Sequence, residues 1–411
     1  MKSELAPGAK NWISKYFHLA EEGEISFTEN KEKRLVESLI STGLLYGVPR
    51  KMLFATKIPT IHFTKDEQLK LLLFEHLLNV FQSKYTDRNI NSFLEKLLSF
   101  YGNEYAENLL EKFIPILRTE TAESNVEKIL AHRVKVKTPI FGTNYWLNHL
   151  SNCFVFLDVL LFEDFLNDNQ ANFQQGYNDF AVFVLRNLVF AAYLDNQVIE
   201  QEQKILWRFL ASAELNDYDH QQMEANILYG ISDTQLKLHF INHKTLNECT
   251  FSLSIFLVKG THLTTEIEEE KIKQLGNLLQ LNAFRADEIE LLTEKFMLEN
   301  QKDVSFVNSS TTNYLYKSFT RKWLRILGRN KDKLIEELKE SKELVALIQK
   351  STKQELTKEE KEAVKEQFMD LLKSMPSVAL FMLPGGTLLL PIILKLVPDL
   401  LPSSFKDNEL D

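Results

Sequence analysis

Apolar residues recur at helical spacing along much of the chain, and this pattern restricts the fold more than any other feature. It predicts helices at roughly 32–46, 66–83 and 88–117. The second of these is apolar over more than half its circumference, which predicts burial. Glycine, at 13 residues, and proline, at 10, are too scarce for the many tight turns of an all-β fold. We therefore predict an all-α protein made of one or more multi-helix bundles.

The charge balance gives the chain no general affinity for nucleic acid. The formal net charge is −9 over 411 residues, so DNA binding is not predicted, and any RNA contact requires a local basic patch. The two cysteines, Cys153 and Cys249, form no C-x-x-C pair and are predicted to be reduced, buried thiols. The N-terminal residues contain no apolar export signal, which predicts a cytoplasmic protein.

The sequence divides into four regions. Residues 1–140 form a helical N-terminal region without a functional signature, and residues 145–300 form a second helical bundle. The second bundle contains a weak internal repeat, at 182–217 and 251–287. Each copy consists of an apolar helix, a polar turn and a second helix whose first residues are acidic.

The first copy of this repeat contains residues 188–206, LVFAAYLDNQVIEQEQKIL. This stretch resembles the TerB-like family, although Asn196 stands where that family usually has glycine. The resemblance implies a compact helical bundle associated with stress responses, and acidic residues that bind a metal, here Asp195, Glu200 and Glu202. The alternative interpretation is that these carboxylates only complement the dipole of the helix that follows. The stretch from Asp195 lacks the ligand pattern of an EF-hand calcium loop.

Residues 301–332 comprise a polar linker, 301–313, and a basic helix at about 314–328. Cationic residues recur every four positions, and Lys322 is predicted to lie on the same side. This face suits ribosomal RNA phosphates or an anionic membrane surface. The alternative is an amphipathic helix docked on the core with a solvated cationic face. The predicted contacts are Lys317, Arg321, Lys322, Arg325 and Arg329, opposite an aromatic and apolar face of Tyr316, Phe319, Trp323 and Leu327.

A helix near the C-terminus has a recognisable start. Thr357 and Glu360 have the spacing of a capping box, in which each side chain hydrogen-bonds the other residue's backbone N–H. The apolar residues that follow at helical spacing predict a buried inner face, formed by Val364, Phe368, Leu371, Leu372 and Met375.

The sequence after Pro376 is apolar and interrupted by proline. Residues 376–394 carry no charge, and Pro384-Gly385-Gly386 breaks the run, which predicts a proline-broken apolar helical hairpin. The run from Leu390 to Phe405 resembles the segment that opens the ribosome-binding-type domain of the LETM family, and the resemblance assigns residues 333–411 to that domain. The matching positions are Pro391, Lys395, Leu396, Pro398, Leu401, Pro402, Ser403 and Phe405.

This resemblance implies a non-enzymatic interaction protein that binds the ribosome, through rRNA or a ribosomal protein, peripheral to or partly inserted in the inner membrane. Glycine-rich phosphate loops and a nucleophile-elbow motif are absent from the sequence, so no cofactor or small-molecule substrate is predicted. Two alternatives stay open. One is a membrane-associated factor in cation homeostasis or envelope stress, and the other is a metal-responsive TerB-like stress module.

Overall fold

The computed structural model describes residues 5–27, 34–85, 89–108, 121–136, 151–168, 173–194, 198–237, 241–261, 266–300, 309–329, 331–351 and 354–373. Within these ranges the regular structure consists of seventeen α-helices and one 3₁₀ turn. The only β-type pairing among them is one isolated bridge, between Lys135 and Ser151. The prediction of an all-α, multi-helix protein is confirmed. The predicted apolar hairpin after residue 376 lies outside the described residues.

The chain forms two compact units, residues 1–286 and 287–411. This two-way division does not test the four regions predicted from the sequence, which stay a prediction. The helices up to the boundary are α1 (Trp12–Glu21), α2 (Leu35–Thr42), α3 (Lys65–Lys84), α4 (Ile90–Asn108), α5 (Ala122–Arg133), α6 (Phe156–Asn167), α7 (Phe173–Ala192), α8 (Glu200–Ser212), α9 (Asp217–Tyr229), α10 (Asp233–Lys237), α11 (Lys244–Thr261) and α12 (Glu266–Leu278). The boundary falls in α13 (Ala283–Glu299), and α14 (Ser309–Arg329), α15 (Lys331–Glu340), α16 (Lys342–Ser351) and α17 (Lys358–Lys373) follow.

Helix α3 is buried on most of its surface, as its composition predicts. A capping box starts it: the backbone N–H of Thr64 donates to the Glu67 carboxylate at 2.7 Å, and the N–H of Glu67 donates to the Thr64 hydroxyl at 3.2 Å. Its middle carries the fully buried Glu75. The Glu75 carboxylate accepts hydrogen bonds from the backbone N–H groups of residues 53–55 and from the Tyr16 hydroxyl. A carboxylate with four donors can be buried without being left unsatisfied.

Helix α7 lies at the centre of the first unit. It packs against α4, α6, α8, α9, α10 and α11, and most of its side chains are apolar and buried. The pairs α7–α8 and α11–α12 have the order expected of the predicted internal repeat. In each pair an apolar helix is followed by one that starts at a glutamate, Glu200 or Glu266. The polar turns between them, 195–197 and 262–265, lie outside the described residues.

Both cysteines are buried free thiols, as the sequence predicts. The Cys153 sulfur lies 3.3 Å from the Ser212 hydroxyl. Burial raises the pKa of the Cys153 thiol and of the Cys249 thiol. Since a reactive cysteine needs a lowered pKa and solvent access, both side chains serve as core residues.

A buried ion-pair cluster joins three segments of the first unit. Arg133, at the end of α5, donates to both carboxylate oxygens of Asp158 on α6, each at 2.7 Å. Its third nitrogen donates to Glu214 at 3.0 Å. Tyr101 donates to Asp158 at 2.9 Å, and the ring of Tyr177 stacks on the guanidinium at 4.7 Å. Every polar atom of Asp158 therefore has a partner, which burial of its charge requires.

We expect Arg133→Ala to lower the free energy of unfolding by about 3 to 5 kcal/mol, because it leaves the Asp158 carboxylate buried without its counter-ion. Urea unfolding followed by circular dichroism measures the change. The control is Lys204→Ala, which removes an exposed ion pair with Glu200 and is expected to change stability by less than about 1 kcal/mol. Equal effects of the two variants would contradict the role of the cluster.

Candidate functional site

The predicted basic helix is α14, and it is longer than the sequence suggested. It begins at Ser309, so residues 309–313 of the predicted polar linker are helical. Its inner face consists of fully buried apolar side chains at four-residue spacing. Leu315 belongs to this face, whereas Tyr316, which the sequence predicts to lie on it, is only partly buried. Among the described side chains of α14, the buried apolar ones are Leu315, Phe319, Trp323 and Leu327.

The outer face of α14 carries the predicted cations. Lys317 and Arg321 are exposed. Arg325 is also exposed, and its Nη1 lies 3.3 Å from the Asp287 carboxylate on α13. Residues four apart on a helix rise about 6 Å along its axis, so the three charges form a row. Arg329 ends the same helix, and its side chain lies outside the described residues.

The prediction that Lys322 lies on this exposed face is wrong. Its side chain is buried, and its ammonium group lies 2.8 Å from the Glu290 carboxylate and 2.9 Å from Glu294, both on α13. It also donates to the Ser318 hydroxyl at 2.6 Å, which in turn donates to Glu294 at 2.8 Å. Successive helical residues are about 100° apart, so Lys322 points away from the direction of Arg321 and towards α13. Lys322 therefore anchors α14 and is not available to an external anion.

The capping box at Thr357 is confirmed. The N–H of Thr357 donates to Glu360 at 3.0 Å, and the N–H of Glu360 donates to the Thr357 hydroxyl at 3.2 Å. Lys350 of α16 also pairs with Glu360, which joins the end of α16 to the start of α17. Hydrogen bonds and charge from these partners lower the pKa of the Glu360 carboxyl, the largest contribution being the hydrogen bond from Lys350.

The inner face predicted for α17 is confirmed at three of its five residues. Val364, Phe368 and Leu371 are buried. The Leu372 side chain and Met375 lie outside the described residues. So does the whole LETM-like motif, Pro391, Lys395, Leu396, Pro398, Leu401, Pro402, Ser403 and Phe405.

The acidic turn proposed as a metal site is described only at Glu200 and Glu202, because Asp195 lies outside the described residues. Glu200 is exposed and pairs with Lys204 at 2.6 Å, a hydrogen bond that lowers the pKa of the Glu200 carboxyl. Glu202 is buried and accepts a hydrogen bond from the N–H of Ile199 at 3.1 Å. Both contacts fit a helix start. Nowhere in the described part of the chain do three His, Cys, Asp or Glu side chains form a group that could hold a metal ion.

Across the described helices, none combines the length and the apolar character that crossing a bilayer requires.

Comparison with known families identifies the C-terminal region. Residues 356–410 match the family described as "LETM1-like, RBD", a ribosome-binding domain family that is not an enzyme family. The match includes the capping box, α17 and the proline-rich motif, and the predicted LETM-type resemblance of the C-terminus is confirmed. The comparisons with curated proteins and with solved structures gave no match. The resemblance of 145–300 to the TerB-like family stays a prediction.

We expect Lys322→Ala to destabilise residues 287–373 by about 3 kcal/mol or more, because it removes the ammonium group that balances the charge of the buried Glu294 carboxylate. Thermal unfolding measured by circular dichroism tests this. Lys317→Ala removes a cation of the same type from the exposed face of the same helix and is expected to change stability by no more than about 0.5 kcal/mol. A loss of similar size in both variants would show that Lys322 is not an anchor.

Proposed function

We propose that this protein is a non-enzymatic ribosome-binding protein whose C-terminal part, from α14 onward, makes the contact. The observation that carries the proposal is the match of residues 356–410 to a ribosome-binding domain family. The exposed cations of α14 belong to the same compact unit, residues 287–411. They supply the electrostatic part of the contact with rRNA phosphates.

The charge distribution supports this role for α14. The helix contains five cations and no acidic residue, in a chain whose formal net charge is −9. Glu290 and Glu294 engage Lys322, and Asp287 partly engages Arg325. Lys317 and Arg321 are therefore the principal contacts among the described side chains. Lysine and arginine side chains on one face bind nucleic acid by displacing the counterions of its phosphates.

The packing of α14 gives no support to its insertion in a membrane interface. An interfacial helix needs an apolar face that enters the lipid. The apolar face of α14, from Leu315 to Leu327, is buried within the protein. The cationic row alone could still approach an anionic headgroup surface. Co-sedimentation with ribosomes and flotation with anionic vesicles distinguish the two kinds of binding.

We expect the purified protein to sediment with ribosomes at about 50 mM salt and to lose more than tenfold in affinity at about 200 mM, because roughly three phosphate contacts release their counterions. Lys317→Glu combined with Arg321→Glu should weaken binding at least tenfold. The double variant should also reduce the slope of log affinity against log salt concentration by about two.

The matched control reverses two exposed cations in the first unit, Lys204→Glu with Lys273→Glu, and changes the net charge equally. This control should bind within about twofold of wild type. Absence of co-sedimentation at low salt, or equal weakening in both double variants, would refute the proposed contact. If the protein does not sediment with ribosomes but floats with anionic lipid vesicles, and the Lys317→Glu with Arg321→Glu variant does not float, the cationic row of α14 binds lipid headgroups and not rRNA.

The LETM-like motif, from Pro391 to Phe405, is expected to supply the part of the affinity for the ribosome that salt does not screen. Substituting alanine for Leu401 and Phe405 removes apolar side chains from the family-matched segment. Because apolar contact is insensitive to ionic screening, the double variant should lose affinity by a similar factor at low and high salt. Co-sedimentation at both concentrations measures this, with circular dichroism as the folding control. An effect confined to low salt would contradict the apolar role.

Fewer observations support the two alternative functions. A membrane-associated factor in cation homeostasis or envelope stress depends on residues 376–402, which lie outside the described residues. A metal-responsive TerB-like module depends on Asp195 together with Glu200 and Glu202, and the described contacts of both glutamates fit a helix start. Both stay predictions from the sequence.

A further inference from the structure

The first unit contains a basic loop, residues 50–65, to which no function has been assigned. It leads into α3 and ends at the first residue of that helix. The segment from 38 to 65 contains no acidic residue, in a chain whose formal net charge is −9. The basic loop is therefore a region of positive charge on an acidic protein. Its lysine and arginine residues are Arg50, Lys51, Lys57 and Lys65.

Two successive turns give the basic loop its shape. The N–H of Ile58 donates to the Ala55 carbonyl at 3.1 Å, and the N–H of Phe63 donates to the Thr60 carbonyl at 3.0 Å. Each hydrogen bond closes a four-residue turn, and the two central residues of such a turn form its tip. The tips consist of Thr56 with Lys57 and of Ile61 with His62, and all four residues are exposed.

The second tip presents an aliphatic side chain to solvent. Ile61 is 84% exposed, which is the largest exposed fraction among the large apolar residues of the described chain. Single exposed apolar residues are common on protein surfaces and need no explanation by themselves. The setting of Ile61 is more specific, because exposed lysines lie four residues before it and four residues after it, at Lys57 and Lys65. Four residues span at most about 14 Å, so the three side chains belong to one small patch.

Contacts with α3 hold the basic loop in this conformation. The side-chain amide of Gln68 donates to the carbonyl of Thr60 at 3.2 Å and to the carbonyl of Phe63 at 3.0 Å, the two ends of the second turn. The buried Glu75 carboxylate binds the N–H groups of residues 53–55, where the first turn begins. Because both turns are fixed before any partner arrives, little conformational entropy is lost when Ile61 is covered.

The carboxylates that follow the basic loop in sequence are engaged within the protein. Asp66 accepts a hydrogen bond from the Ser151 hydroxyl at 2.7 Å, and Glu67 accepts one from the N–H of Thr64 at 2.7 Å. Both side chains are half-buried, whereas the neighbouring Lys65 is exposed. The surface offered to a partner is therefore cationic with an apolar tip.

This combination is complementary to an anionic membrane surface. Negative headgroups attract lysine side chains, with a gain of roughly fivefold in affinity for each one close to the surface. The boundary between headgroups and acyl chains also accepts an apolar side chain. RNA has the same sign of charge, but its phosphates give no gain for an aliphatic tip. The exposed isoleucine is therefore the feature that favours lipid over nucleic acid.

We propose that the basic loop binds the surface of an anionic lipid membrane, with Ile61 inserted below the headgroups and Lys57 and Lys65 among them. The contact is peripheral and requires no helix that crosses the bilayer. One aliphatic side chain and a few lysines give weak, reversible binding. The inference goes beyond ribosome binding and does not rest on it, since the basic loop belongs to the first unit and α14 to the second.

The test is flotation of the full chain with phosphatidylcholine vesicles that contain about 30% phosphatidylglycerol, at about 50 mM salt. We expect the protein to float with these vesicles and to partition at least tenfold more weakly into vesicles of phosphatidylcholine alone. Ile61→Ser should weaken partitioning at least fivefold, because it removes the apolar tip. Lys57→Gln combined with Lys65→Gln should weaken it at least tenfold.

Ile61→Trp is the variant expected to gain affinity. Tryptophan favours the membrane interface, so this variant should partition severalfold more strongly than wild type. A role of Ile61 in folding alone would give no such gain. Circular dichroism verifies that each variant of the basic loop is folded.

Two matched controls alter other parts of the first unit. Tyr229→Ser removes a side chain that is 83% exposed, similar to Ile61, and should change partitioning by less than about twofold. Lys204→Gln with Lys273→Gln removes two exposed cations and should also stay within about twofold. The Lys317→Glu with Arg321→Glu variant of α14 should still float.

The proposal would be overturned by the absence of flotation with anionic vesicles, by equal partitioning into anionic and neutral vesicles, or by equal partitioning of wild type and Ile61→Ser. Flotation that is lost in the α14 variant but kept in both variants of the basic loop would assign lipid binding to α14 instead. Unchanged flotation with weaker ribosome binding in the loop variants would assign the basic loop to the ribosome. Failure of ribosome co-sedimentation in the wild type has no bearing on these measurements, so the two proposals succeed or fail separately.

Discussion

A buried carboxylate needs hydrogen-bonding or ionic partners, and this requirement constrains the positions of several helices of this protein. Asp158 on α6 is held by Arg133 from α5 and by Tyr101 from α4. Glu75 on α3 is held by the backbone of residues 53–55 and by Tyr16. An isolated buried charge would oppose folding by several kcal/mol, whereas a fully paired one also restricts the directions from which helices can approach.

The same requirement divides the cations of α14 into two groups. Lys322 is bound by Glu290 and Glu294 and holds the helix against α13. Lys317 and Arg321 lie on a different side of the helix and are exposed to solvent. The buried ion pairs and the apolar row together determine the rotation of α14 about its axis. The exposed charges are consequently presented as an ordered row, and a polyanion can meet them without the helix having to rearrange.

Local patterns in the sequence were sufficient for much of the fold. The 3.6-residue period of apolar side chains predicted the all-α class and the burial of α3, and the spacing of Thr357 and Glu360 predicted the start of α17. These features depend on residues within one or two turns of each other. The LETM-type resemblance of the C-terminus was also visible in the sequence, because closely spaced prolines form a pattern that can be recognised without coordinates.

The sequence by itself determined the all-α class, the burial of α3, the start of α17 and the family resemblance of the last part of the chain. Only the tertiary structure decided which charged side chains form buried ion pairs and which are exposed to solvent. Lys322 and Arg321 are adjacent and chemically similar, and they differ in fate because carboxylates from α13 meet one of them. Contacts between residues distant in sequence depend on how helices pack, and helical periodicity does not encode the identity of the neighbouring helix.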